Sequence, residues 1–217
     1  MTSLPPSASV ATQTTGGKLC APSALRNAPV ITALLRDVAP PAGRALEIAS
    51  GTGQHITALA AAIPQISWHP SEIAADRIAS IDAYAAEAAL DNLHPAQVLD
   101  ASQSGWSTEH RPYDMIYMGN LLHLISQVAA STLLSEAAKA LTPTGTFVVY
   151  GPFMRSGQLT SEGDAKFHAE LHAADPTIGY KDDQWVKQML THAGLAAIVV
   201  QDMPANNLAF IAQRELS

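Results

Sequence analysis

The chain has 217 residues, 47% hydrophobic and 14% charged, which suits one well-packed domain and is too little for two of ordinary size. Its 12 Lys and Arg against 19 Asp and Glu give a formal net charge of -7, with the basic residues too scattered to neutralise a phosphate backbone, so no nucleic-acid partner is expected. The single Cys20 excludes an internal disulfide, and neither a bilayer-spanning apolar run nor a basic signal-peptide start is present, so a cytoplasmic protein outside the membrane is expected.

Residues 1–18 are Ser, Thr, Pro, Ala and Gly with little to bury, and they read as a flexible tail before a single domain over 19–217. Helical spacing of apolar residues runs from Ala24 to Val38 and is stopped by Pro40, Pro41 and Gly43. Strands are expected at Arg44–Ile48, Ile66–His69, Ala96–Leu99, Tyr113–Met118 and Thr146–Tyr150. Helical patterns at Gln54–Ala62, Ile73–Leu90 and Val128–Leu141 alternate with them. This is the signature of an α/β fold, a doubly wound and mainly parallel sheet that binds ligands beyond the carboxyl ends of its strands. The rhythm then breaks. Helices at Asp164–Ala174 and Asp182–Ala193 follow each other, and strands Leu195–Asp202 and Asn207–Gln213, joined by Met203-Pro204-Ala205-Asn206, predict an antiparallel C-terminal hairpin.

The strongest chemical signal is Leu46-Glu47-Ile48-Ala49-Ser50-Gly51-Thr52-Gly53-Gln54-His55, where the first strand of the alternation turns into a helix. Gly51 and Gly53 permit a tight turn and close backbone approach to a ligand. By itself the pair also fits an ordinary strand-to-helix connection. Ile56 stands where a dinucleotide fingerprint wants a third Gly, and no Gly-Lys-Ser/Thr follows, which lowers NAD, FAD and ATP in rank.

The spacing Glu47-x-Ala49-x-Gly51-x-Gly53 resembles the first motif of class I S-adenosylmethionine-dependent methyltransferases, with Ala49 where the common pattern has Gly. That resemblance implies a Rossmann-like methyltransferase sheet and S-adenosyl-L-methionine as cofactor. Further stations agree in order. Glu72 in Ser71-Glu72 is the implied ribose ligand, and Asp100, with Ala101 beside it, is the implied partner of the adenine amino group. Gly119-Asn120-Leu121-Leu122-His123 resembles the segment that touches the methionine portion and faces the acceptor. Together with Arg26-Asn27-Ala28-Pro29-Val30, Tyr150-Gly151-Pro152-Phe153 and Met203-Pro204-Ala205-Asn206-Asn207, these motifs resemble one subfamily, the domain of unknown function 938 and relatives of methyltransferase-like protein 26. The implied cofactor set is therefore Arg26, Glu47, Ala49, Gly51, Gly53, His55, Glu72, Asp100, Ala101, Asn120 and Leu121. Departures fall on the acceptor side: the subfamily's Pro-Trp after the fourth-strand His is absent, and Gly163-Asp164 and Phe167-His168 replace Ser-Asn and Phe-Asp.

A sulfonium methyl needs little activation, so alignment and exclusion of water carry most of such a reaction. If the acceptor is a hydroxyl or thiol, His123 is the candidate base and Tyr150 its neighbour at the methyl; as a bland alternative, His123 is a buried histidine and Tyr150 a core aromatic. Asp164, His168 and His172 share one helix face at metal-like spacing, but Gly163 and Asp164 read better as a helix start, so no metal is expected. The leading expectation is methyl transfer to a small-molecule acceptor. An NAD-dependent oxidoreductase and a non-catalytic cofactor-binding protein acting through protein contacts are the alternatives.

Overall fold

The computed structural model describes residues 4, 5, 8 and 10–214; the rest of the expected tail and residues 215–217 lie outside the described residues. Its elements are β1 (Thr12–Gln13), β2 (Leu19–Cys20), α1 (Pro22–Val38), β3 (Gly43–Ile48), α2 (Gln54–Ala62), β4 (Ile66–Glu72), α3 (Ala75–Ala88) and β5 (Gln97–Val98). There follow β6 (Tyr113–Gly119), α4 (Gln127–Lys139), β7 (Leu141–Pro152), α5 (Glu162–Ala174), α6 (Asp183–His192), β8 (Leu195–Asp202) and β9 (Asn207–Arg214).

The main sheet has the order β5-β4-β3-β6-β7-β9-β8. Every pairing from β5 to β7 is parallel, and β9 runs antiparallel to both of its neighbours. The expected mainly parallel α/β sheet with an antiparallel C-terminal pair is the fold observed. Strand order reverses between β3 and β6, so their carboxyl ends diverge into a crevice, the usual place for a ligand in an open α/β sheet.

Side chains alternate across the sheet and divide the core in two. Leu46, Ile48, Ile116, Met118, Phe147 and Phe210 pack with Leu133 and Leu134 of α4 and Val186 and Leu190 of α6. Ala45, Met115, Tyr117, Val148 and Tyr150 face the other way, against Ile31 and Leu35 of α1, Ile56 and Leu59 of α2 and Ile81 of α3. Pro29 lies inside α1, deeper than the first-turn position that costs a helix nothing.

The stretch expected to be a loose tail is ordered over its second half. β1 and β2 pair antiparallel, and Leu19 N–H donates to Ser80 Oγ at 2.8 Å. Lys18 pairs with Glu87 and lies over the Tyr84 ring. These contacts offset an ordering entropy that the composition suggested nothing would return. Among the described residues, no helix is long and apolar enough to cross a membrane.

Candidate functional site

After β3 the chain reverses through Ala49, Gly51 and Gly53, which have φ of 55°, 59° and 92°. Alternating left-handed residues coil the turn tightly, and Ser50 N–H donates to the Ser71 carbonyl at 2.8 Å while Gly53 N–H donates to Ser50 at 3.1 Å. Ala49 occupies a conformation that costs an L-residue roughly 1–2 kcal/mol, a physical reason for glycine at that position of the motif. The two glycines do different work. A Cβ on Gly53 would stand 2.8 Å from the Ile81 Cα, whereas one on Gly51 would meet only Arg77 Nη1 at 3.4 Å. Gly53 lets α2 close against α3, and Gly51 leaves the backbone open to a ligand.

A cavity of about 380 Å³ lies at the reversal point, within the roughly 300–1,000 Å³ of small-molecule sites. Of the residues expected at a cofactor, Ala49, Gly51, His55, Glu72, Asn120 and Leu121 line it. Glu72, 7% exposed, receives Gly51 N–H at 3.0 Å on one carboxylate oxygen and Ile73 N–H at 2.8 Å on the other. These bonds fix the carboxylate at the wall, and each oxygen keeps acceptor capacity for a ligand hydroxyl. His55 Nε2 lies 3.1 Å from the Ala24 carbonyl, and Gln54 Oε1 accepts from Ala21 N–H at 2.7 Å. The start of α1 is thus fastened over the glycine turn. Burial pushes the His55 imidazole's pKa down against the bond to the Ala24 carbonyl.

Other expected residues stand elsewhere. Arg26 is exposed on α1 and does not line the cavity. Asp100 is outside the lining too, its carboxylate taken by the Ser102 N–H and hydroxyl and by Gln103 Nε2 at 3.2 Å. Those bonds outweigh desolvation and lower its pKa, while Ala101 is buried against the core. His123 was expected to face the acceptor, but it is 5% exposed, absent from the lining and packed edge-on against Phe167 and Tyr180. Burial first, then Lys181, drives its pKa down to about 3, which makes it a poor proton acceptor at neutral pH. Tyr150 is also buried outside the lining, although its carbonyl receives Asn120 N–H at 2.8 Å.

Glu47 does not line the cavity either and is 2% exposed, two residues before the lining residue Ala49. Its Oε2 and the Tyr117 hydroxyl are buried without hydrogen-bond partners. Burial raises its pKa to about 8 against a hydrogen bond from Ser50, and Glu72 raises it further. On α5, Asp164 receives the Tyr180 hydroxyl at 3.0 Å and His168 Nδ1 receives Tyr180 N–H at 3.0 Å. Both are spent on packing the following segment, and no group of three or more His, Cys, Asp or Glu among the described residues has the arrangement to hold a metal.

Sequence reasoning missed several lining residues: Ile73 and Arg77 after Glu72, Leu124 and Ile125 after His123, and Leu4, Ala8 and Val10 of the N-terminal stretch. Ile73, which starts a helical pattern in the sequence, is 56% exposed directly after the acidic strand end, which suits a ligand's apolar face; that exposure is not visible in the sequence.

This sheet, with its glycine turn and crevice, is the methyltransferase fold. An O-methyltransferase family protein from Burkholderia thailandensis superposes with a TM-score of 0.73 at 16% identity, covering 88% of this chain and 57% of that one. An O-methyltransferase family 2 protein from Planctomyces limnophilus, in complex with apigenin, gives 0.69 at 16% identity, covering 87% and 61%. Human N-acetylserotonin methyltransferase in complex with SAM gives 0.69 at 13% identity, covering 87% and 52%. The chain spans little more than half the length of these proteins. Over residues 18–214 it matches the sequence profile of DUF938, described as a protein of unknown function. The chain belongs to that family.

Proposed function

We propose that the chain binds S-adenosyl-L-methionine in the cavity between β3 and β6 and transfers its methyl group to a small-molecule acceptor. The observation that carries this reading is the Glu72 carboxylate, held at the cavity wall by Gly51 and Ile73 N–H groups. It is a fixed acceptor beside a bare glycine, which suits the ribose hydroxyls of a nucleoside. Two further features fit the cofactor: the space over Gly51, which a Cβ would enter, and the unpartnered buried Glu47 Oε2, which suits a cationic ligand. The subfamily motifs support kinship with methyltransferase-like protein 26.

When bound, S-adenosylmethionine supplies a methyl group already activated on its sulfonium. What this chain contributes is position and dryness. Glu72 and the glycine turn anchor the nucleoside, Asn120 and Leu121 border the opposite wall, and α1, fastened by His55 and Gln54, closes over the turn. With His123 buried as a weak base, alignment and exclusion of water carry the transfer. This favours acceptors that are nucleophilic without help, such as amines or ionised oxygens and thiols. Small molecules fit a cavity of about 380 Å³, and the solved fold relatives include one bound to apigenin.

Calorimetric titration with S-adenosylhomocysteine and with NAD tests the cofactor. Micromolar-range binding of the first, undisturbed by the second, is expected; no heat with S-adenosylhomocysteine and clear NAD binding reverses the reading. An acceptor screen on protein that passes this step then tests catalysis.

A further inference from the structure

Glu47, Tyr117 and Tyr150 stand on three adjacent strands and on one face of the sheet. Glu47 pairs in register with Tyr117, and Tyr150 pairs with Gly119, two residues beyond Tyr117. The Tyr117 hydroxyl lies under Gly119, where a Cβ would collide with it, and Gly119 lines the cavity. The three are between 0% and 2% exposed; Glu47 Oε2 and the Tyr117 hydroxyl lack hydrogen-bond partners, while the Tyr150 hydroxyl has the Asn207 side chain beside it. One orphaned buried polar atom is costly, and two neighbouring ones, the hydroxyl directly under a cavity-lining glycine, mark a place prepared for something the ligand brings.

The charge balance identifies it. None of the described ion pairs involves Glu47. Facing it are Ser50, Glu72 on β4 and Tyr117 on β6, with Tyr150 on β7 beside Tyr117; His55 on α2 and Arg77 on α3 belong to the cavity wall, and α1 presents Ile31 and Leu35 to this side of the core. Its largest perturbation is burial, Glu72 adds to it, and no cation is among its causes. Burial with no positive charge beside it favours the neutral form of this carboxyl at neutral pH.

We infer that Glu47 is a neutral, protonated carboxyl in the ligand-free protein and ionises when the cationic group of a ligand is seated toward it in the cavity, the ligand's own carboxylate lying farther off, so that cofactor binding releases a proton to solvent. The O–H bond of the carboxyl breaks, its electron pair stays on Glu47, and the new carboxylate faces the ligand's positive end. The inference rests on the proposed cofactor. Both S-adenosylmethionine and S-adenosylhomocysteine carry an ammonium group, and the first carries a sulfonium as well. Methylthioadenosine carries neither and should bind without ionising Glu47. The chain would thereby favour the whole cofactor over its uncharged fragment.

The test is calorimetry of S-adenosylhomocysteine binding at pH 7 in phosphate and in Tris, whose different ionisation enthalpies reveal protons exchanged. A cation at about 4–6 Å lowers a carboxyl pKa by roughly 1–3 units, so about 0.4–0.9 proton should be released. Glu47→Gln, which keeps the shape and cannot ionise, should abolish the release, and methylthioadenosine should show none with either protein. Binding of S-adenosylhomocysteine without proton release, or release that persists in Glu47→Gln, overturns the inference and leaves the proposed cofactor standing. Absence of any S-adenosylhomocysteine binding, with methylthioadenosine also silent, overturns both.

Discussion

Gly51 and Gly53 are two residues apart in one turn, yet they should fail differently. Gly53→Ala drives a Cβ against the Ile81 backbone at φ 92°, and overpacking added to strain should cost roughly 2–4 kcal/mol. Thermal unfolding should show a large drop in melting temperature. Gly51→Ala meets only the Arg77 guanidinium, at an ordinary contact distance of 3.4 Å, so it should cost about 1–2 kcal/mol while weakening S-adenosylhomocysteine at least tenfold. Equal melting temperatures for the two variants would contradict this division of labour. Both glycines were legible in the sequence as one motif. Their separate roles were not, because those depend on which way each Cα faces, and that emerges only once α3 has packed against α2.

At the level of elements, the turn after β6 and the segment before α6 form one unit behind the acceptor side. Lys181 Nζ donates to the Ile125 carbonyl at 2.7 Å and to Gly179 at 2.9 Å, and His123 packs between that segment and Phe167. His123→Ala should therefore lower stability by roughly 2–4 kcal/mol, as a buried large-to-small change does, and leave S-adenosylhomocysteine affinity within threefold. A stable variant that binds cofactor normally and loses only turnover would restore His123 as a base. Sequence periodicity located the long helices and the strands of the main sheet. It shortened β7, expected at Thr146–Tyr150 and found at Leu141–Pro152, because the helical spacing before it runs through Leu141 in the sequence; the extra residues of β7 are taken up where its register with β6 shifts between Tyr113 and Met115. It missed β1 and β2, two residues each, which have no period to detect and are held by partners distant in sequence. Glu72 and Asn120, which end or directly follow long strands, line the cavity, since topology fixes where a strand stops. Asp100, two residues past the two-residue β5, Arg26 on α1 and His123 in the turn after β6 do not, because their side-chain direction is a tertiary outcome.

Over the whole molecule, opposing buried groups shape the response to pH. His69, driven down to about 4 chiefly by burial, and His123, down to about 3, have folded pKa values below 6.5. Their stabilising contribution is full above pH 6.5 and is lost as pH falls through those values. Glu136, lowered to about 2 by bonds from Lys139, Ser107 and Gly105 that outweigh desolvation, likewise contributes above pH 4.5 and loses that contribution on further acidification. Glu47 acts in reverse: its pKa is raised from 4.5 to about 8, so its contribution is full below pH 4.5 and is lost as pH rises through 8. The ligand-free protein should be most stable near pH 6.5 and lose roughly 1–2 kcal/mol by pH 8. Chemical unfolding of wild type and Glu47→Gln across that window checks the assignment, and a decline that survives in the Gln variant would contradict it.

The central claim is that the cavity at the β3–β6 reversal holds a nucleoside through Glu72. Titration of S-adenosylhomocysteine into wild type and Glu72→Ala, with melting temperatures measured on both, tests it most directly. Loss of a charge-assisted hydrogen bond worth about 1.5–3 kcal/mol should weaken binding roughly 10- to 150-fold. The melting temperature should fall by only a few degrees. An unchanged dissociation constant in a variant of lowered melting temperature would make Glu72 a brace for the glycine turn and remove the cofactor's anchor.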